Sequence, residues 1–129
     1  MTEPRWLALV HVLAIHSDQI KTHGGSAGLR DRGLLESALE RPKNQFNYGS
    51  DPDLASLAAA YGFGLANNHP FVDGNKRVAF QAMYLFLGLN GFRIEAPEEA
   101  VVSLILSLAA GELNETELAD WVRQHVTPR

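Results

Sequence analysis

The sequence predicts an all-α protein built around one buried helix. Residues 78–90 are apolar nearly all round, and a helix without a polar face is usually buried in the middle of a fold. Residues 51–67 are rich in Ala and Gly, and such small side chains let a neighbouring helix approach closely, so we place this segment against residues 78–90. With the other start and stop signals, we expect about six helices and at most a short β-hairpin in a single domain, residues 1–129.

The first helix is expected over residues 5–21, where Gly24-Gly25 follows as a stop signal. Its apolar residues recur at helical spacing, which predicts an amphipathic helix with these residues inward: Trp6, Val10, Leu13 and Ile20. His11 and His16 stand alone in this segment, and we expect them to be ordinary surface or packed residues.

The second helix is expected to begin after Asp31, whose side chain can cap it, and to end at Arg41 because Pro42 follows. The next segment, residues 43–50, is polar with two aromatics. We expect a loop or a short β-hairpin there, either covering the core or contacting a partner.

Capping residues mark where the remaining helices begin and end. Asp51-Pro52 reads as a cap followed by proline at the first helical position. Asn90-Gly91 ends the apolar helix, and residues 92–94 form a short extended piece before a helix from Pro97 to Gly111. Asn114 and Glu117 have the spacing of a capping box that opens the last helix.

The composition of the chain argues against several classes of function. The chain of 129 residues has a net charge of −4 and no cysteine, so we expect no nucleic-acid partner, no thiolate chemistry and a reducing, cytoplasmic setting. No apolar run approaches the roughly 20 residues that a membrane helix needs, so we expect no membrane partner either.

Chemistry-bearing residues are concentrated at residues 69–77, which read His-Pro-Phe-Val-Asp-Gly-Asn-Lys-Arg. This stretch leads into the N-terminus of the apolar helix, where free N–H groups and the helix dipole favour anions. Lys76 and Arg77 lie in the first turn, where the dipole disfavours cations, and so we expect an anionic ligand between them.

The residue types suit a nucleotide phosphate beside a base. Arg77 can grip a phosphate through two hydrogen bonds, and Lys76 offers a point charge. Asp73 can hold Mg²⁺, which binds through one or two carboxylates plus phosphates. His69 can accept a proton at neutral pH. Taken singly, each residue is better explained by a structural role: Asp73 as a helix cap, Gly74 as a turn residue and His69 as a structural residue. Their occurrence together favours the phosphate site.

The same stretch resembles the signature of the Fic/Doc family, specifically its Doc branch. The AMP-transferring Fic branch typically has glycine where this chain has Lys76 and a second arginine where it has Phe80, and both departures match the Doc pattern. The resemblance extends over nearly the whole chain, including Gly24-Gly25, the stretch 28–31 and Arg41-Pro42.

The resemblance implies an all-α toxin of a toxin–antitoxin pair that uses ATP and Mg²⁺ to phosphorylate a hydroxyl of elongation factor Tu and so arrest translation. By position it gives His69 the role of general base and Asp73 that of metal ligand. It assigns phosphate binding to the helix start: Gly74, Asn75, Lys76 and Arg77. It also places a target-aligning flap at residues 43–48.

Regulation is expected from a separate protein. The inhibitory motif of Fic proteins, which ends in Glu followed by Gly or Asn, does not occur in this sequence. We therefore expect a cognate antitoxin whose C-terminal segment folds into a groove of this domain. Two other functions remain open from the sequence: AMP transfer by the same fold, and a catalytically silent domain that only binds a partner.

Overall fold

The fold consists of six helices and one two-stranded antiparallel sheet, as seen in a computed structural model that describes residues 2–129. The elements in chain order are α1 (Leu9–His23), α2 (Arg32–Tyr48), α3 (Leu54–Asn68), α4 (Asn75–Leu89), β1 (Phe92–Ile94), α5 (Glu98–Ala109), α6 (Glu115–His125) and β2 (Val126–Pro128). The predicted all-α class, with one short hairpin-like pair, is confirmed.

Helix α4 is the central element, and α3 packs against it as predicted. Val78, Met83 and Phe86 of α4 are completely buried. A Cβ atom on Gly62 of α3 would lie 2.6 Å from Met83 Sδ, so the absence of a side chain there permits the close approach. Helix α4 begins at Asn75, three residues before the predicted start, which places Lys76 and Arg77 inside its first turn.

The buried face of α1 differs from the predicted one. Val12, His16 and Gln19 point inward, whereas Val10 is 66% exposed. The helix also starts at Leu9 rather than Arg5. The chain before it is held extended because Leu7 N donates a 3.0 Å hydrogen bond to the buried Tyr61 hydroxyl.

Helix α2 continues through Pro42 to Tyr48, so the predicted stop at Arg41 and the loop or hairpin at residues 43–50 are both wrong. Proline removes one helical N–H donor, but side chains on both sides of it hold this last part in place. Arg41 and Gln45 both donate to Glu115 of α6, and Phe46 packs edge-on against Trp6 with ring centroids 5.7 Å apart. Asp31 caps the helix through Leu34 N, as predicted.

The remaining boundaries follow the cap signals closely. Helix α3 begins two residues late because Asp53, and not Asp51, accepts from the free N–H of Ser56. Asn114 and Glu117 form the predicted capping box. The unpredicted strand β2 pairs with β1, with Arg93 opposite Thr127.

Among residues 2–129, no helix combines the length and the apolarity that spanning a bilayer would require.

Candidate active site

The site is built on the turn between α3 and α4, and its first residue, His69, ends α3. His69 has left-handed backbone angles, φ 50° and ψ 55°, which few residues other than Gly, Asn, Asp and His adopt readily. Arg30, in the loop between α1 and α2, fixes this end of α3. Its Nε donates to His69 O at 2.7 Å, and its Nη2 donates to Asn68 O at 3.0 Å. The imidazole itself remains exposed.

The next part of the turn is fastened to the loop before α2. Pro70 O accepts backbone hydrogen bonds from Arg30 N and Asp31 N at 2.7 and 2.9 Å, and Phe71 forms an isolated antiparallel bridge with Leu29. The Phe71 ring is buried and stacks on His16 of α1 at a centroid distance of 3.9 Å. The turn is therefore fixed both by backbone pairing and by the core beneath it.

Asp73 lies at the rim of the site in a fixed position. Its carbonyl oxygen accepts a 3.0 Å hydrogen bond from His16 Nε2, which requires the His16 proton to be on that nitrogen. Its carboxylate accepts from Gly74 N at 2.8 Å and from Ser26 N at 3.3 Å. The remaining lone pairs of this exposed carboxylate face solvent.

Asn75 is buried and braces the turn from inside. Its side-chain oxygen accepts from Phe71 N at 2.9 Å, and its side-chain nitrogen donates to Phe71 O at 3.0 Å. Both ends of the amide are thus used within the protein, so any contact of Asn75 with a phosphate would come from its backbone N–H in the first turn of α4.

Lys76 lies against the ring of His69. Its Nζ is 3.1 Å from Nδ1 and 3.3 Å from Nε2. The lone-pair directions of these two nitrogens diverge, so an ammonium nearly equidistant from both sits over the ring face rather than along either one. Partial desolvation lowers the pKa of the His69 imidazole below its ordinary 6.5, and the positive charges of Lys76 and Arg30 lower it further. Both effects favour the uncharged form of the imidazole.

The predicted residues surround one open cleft of about 350 Å³, lined by His69, Val72, Asp73, Gly74, Asn75, Lys76, Arg77 and Ile105. Gly74 is the N-cap of α4 and offers no side chain to the first N–H groups. Those donors, the helix dipole and two cations all favour an anion in the cleft. Desolvation lowers the pKa of Lys76, so an anion beside this ammonium would also compensate for its partial burial.

A divalent ion accompanied by phosphates fits this cleft better than a site made by protein ligands alone. In the part of the chain that the structure describes, no three His, Asp or Glu side chains converge as ligands. Asp73 supplies the one carboxylate in the cleft lining, and Mg²⁺ commonly uses one or two carboxylates together with substrate phosphates and water.

The sequence analysis named the polar residues and Gly74 of the cleft but not its apolar residues Val72 and Ile105, and it missed the residues that hold the cleft in shape. His16 is packed, as expected, but it also donates to Asp73 and stacks under Phe71. Arg30 and Ser26 act from the loop after α1. The Gly24-Gly25 and 28–31 stretches noted in the resemblance were the available signal for that loop, whereas nothing in the sequence singled out His16.

Comparisons with known proteins identify the family. The sequence profile described as "Fic/DOC family" matches residues 6–87. The chain is 32% identical to "Protein kinase doc" of Escherichia phage P1 over 121 residues, which cover 93% of this chain and 94% of that protein. It is 47% identical to "Toxin Doc" of Mycolicibacterium smegmatis over 75 residues, which cover 57% of each chain. The chain belongs to the Fic/Doc family, and within it to the Doc branch.

Proposed function

We propose that the protein is a Doc-type toxin that transfers the γ-phosphoryl group of Mg-ATP to a hydroxyl of a protein. The observation that carries this proposal is the cleft itself, in which His69 stands beside Lys76 at a helix N-terminus without a side-chain cap. The names of the two relatives, a protein kinase and a toxin, point in the same direction.

The polar groups of the cleft have distinct roles in this reaction. His69 takes the proton of the target hydroxyl as its oxygen bonds to the γ-phosphorus. The bond from that phosphorus to the oxygen bridging to the β-phosphate breaks, and ADP leaves. Lys76, Arg77 and the N–H groups that follow Gly74 bind the phosphate oxygens. Asp73 would hold Mg²⁺, which when bound neutralises charge on the phosphates.

The choice of phosphoryl over AMP transfer rests on Lys76 and Phe80. Lys76 occupies space over the ring of His69 that a glycine would leave open to the nucleotide. Phe80 is 7% exposed, so the position that carries a cation in the AMP-transferring branch is apolar here. Both features favour a nucleotide with its γ-phosphate, and not its α-phosphate, next to the base.

The biological setting follows from the same proposal. The target would be elongation factor Tu, the consequence an arrest of translation, and the place the cytoplasm. A cognate antitoxin would restrain the enzyme by folding its C-terminal segment into a groove of this domain, in the way that disordered segments commonly fold on their partners. Expressed without that antitoxin, the wild-type gene should stop the growth of a sensitive bacterium.

Labelled ATP added with a cell extract tests the proposal. The wild-type protein should label one protein band in the presence of Mg²⁺. His69→Ala removes an exposed imidazole but places alanine at a left-handed position, so it should remain folded with a stability loss of roughly 1–2 kcal/mol at most. It should lose roughly 10²–10⁴-fold in rate, as expected for loss of a general base. A folded wild-type protein that labels no band would indicate a domain that only binds partners, and full activity of His69→Ala would remove the base from the mechanism.

A further inference from the structure

Arg30 binds the backbone on both sides of the proposed base. Its Nε donates to His69 O at 2.7 Å, and its Nη2 donates to Asn68 O at 3.0 Å. The planar guanidinium presents its donors in a rigid fork, so it can bond these two adjacent carbonyls at once. The backbone N–H of the same residue, together with that of Asp31, binds the next carbonyl, Pro70 O. The loop between α1 and α2 therefore holds three successive carbonyl groups of the turn.

The two carbonyls that the guanidinium binds belong to the peptide groups that flank the Cα atom of His69. The orientation of these two groups relative to each other is set by the φ and ψ angles of His69, which are 50° and 55°. Within residues 2–129 the only other non-glycine residue with positive φ is Asp51. A left-handed histidine is strained, and such strain persists only where the surrounding structure holds it. The guanidinium of Arg30 is a contact that does so directly.

A simpler role for Arg30 would be that of a cation at the C-terminus of α3. Carbonyls lack helical partners there, and the helix dipole favours a positive charge. That role needs only a charge near the helix end, so a lysine would fill it as well. The fork on the two carbonyls that flank His69 is more demanding, because the ammonium of a lysine is a compact point charge and cannot reproduce the fork.

We propose that Arg30 is a positioning residue for the general base, because its guanidinium sets the left-handed backbone of His69 and so directs the imidazole into the cleft. The inference rests on the proposed function, in which His69 takes the proton of the target hydroxyl. A change of φ or ψ at His69 turns its Cα–Cβ bond relative to the start of α4, where the phosphates bind. A misplacement of about 1 Å can cost roughly 10²-fold in rate. Loss of the fork should therefore slow transfer without weakening nucleotide binding.

Arg30→Lys separates positioning from charge, since the lysine keeps a positive charge near His69 but cannot hold both carbonyls. We expect kcat to fall roughly tenfold to a hundredfold, whereas the Kd of Mg-ATP, measured by calorimetry, should not change because the phosphate-binding groups lie on α4. Arg32→Lys is the matched control, since Arg32 pairs with Glu36 on the exposed surface of α2 and should keep the wild-type kcat. An unaltered kcat in folded Arg30→Lys would refute the inference. A fall in kcat accompanied by weaker Mg-ATP binding, or an equal fall in Arg32→Lys, would also overturn it.

NMR on the same variants tests the backbone of His69 without a measurement of activity. Positive φ brings the amide and α hydrogens of a residue close together, so His69 should give a strong NOE between them in the wild type and in Arg32→Lys, and a weaker one in Arg30→Lys. Asp51, at φ 53°, is the internal reference and should keep its NOE in all three proteins. An undiminished NOE of His69 in Arg30→Lys would overturn the inference even if kcat falls. A wild-type protein without phosphotransfer would contradict the proposed function, and the NOE would still decide whether Arg30 sets the backbone of His69.

Discussion

Two adjacent glycines in the loop after α1 allow a matched test of how Asp73 is held. Gly25 has φ +112°, and a Cβ atom added there would lie 2.6 Å from Asp73 Oδ2. Gly24 has φ +79°, and its Cβ would meet nothing within 4 Å. Both substitutions to alanine therefore strain the backbone, but only Gly25→Ala displaces the carboxylate.

The two variants should differ in how much each lowers the free energy of unfolding. Left-handed backbone strain costs about 1–3 kcal/mol for a residue other than glycine, and this applies to both. Gly25→Ala also forces the Asp73 carboxylate away from Ser26 N. Because this carboxylate is exposed and can exchange that partner for water, we expect only about 1 kcal/mol of additional destabilisation.

The two variants should differ in their Mg²⁺ requirement as well as in stability. Urea unfolding measures the difference in stability, and the Mg²⁺ concentration needed for half-maximal phosphotransfer measures the difference in function. Gly25→Ala should need several-fold more Mg²⁺, and Gly24→Ala should keep the wild-type value. Equal Mg²⁺ dependence in the two variants would refute the role that we give to the position of Asp73.

Two further predictions follow from charges. Lys76→Met removes a positive charge next to the ring of His69 and should raise the pKa of His69 towards its ordinary 6.5. An NMR titration of the imidazole measures this pKa, with Arg77→Met as the control. An unchanged titration midpoint in Lys76→Met would contradict the prediction. Arg123 holds the pKa of Asp53 well below its usual 3.8, so the ionised pair stabilises the fold above pH 3.8 and this contribution fades as the pH falls below that value. Asp53→Asn keeps the helix cap and should cost up to about 1 kcal/mol at pH 7; urea unfolding should show this difference shrinking at successively lower pH, and a difference that is independent of pH would argue against the ion pair.

The fold was largely predictable because its strongest signals are local. The apolar run of α4, the small residues of α3 and the Asn114–Glu117 capping box each carry their meaning within a few positions, and all three are confirmed. The end of α2 was not predictable in this way. Proline is a local stop signal, but contacts with Trp6 and Glu115, distant in sequence, keep the helix intact beyond Pro42.

The residues of the site also fall into those that local sequence predicts and those that it does not. All the cleft residues except Ile105 lie between positions 69 and 77, so their shared chemistry could be read directly. The residues that hold the turn come from α1 and the loop after it: His16 is 57 positions from Asp73, and Arg30 is 39 from His69. Asn75 shows a further limit, since its side chain braces Phe71, a role that the residue type alone does not distinguish from phosphate binding.

Two parallel reactions with differently labelled ATP test the central claim most directly. The purified protein is incubated with Mg²⁺ and purified elongation factor Tu, once with label on the γ-phosphate and once with label on the α-phosphate. Label transferred from the γ-phosphate alone is the predicted result, because Lys76 and Phe80 favour the orientation that places this phosphate beside His69. Label transferred from the α-phosphate would show AMP transfer and contradict the account.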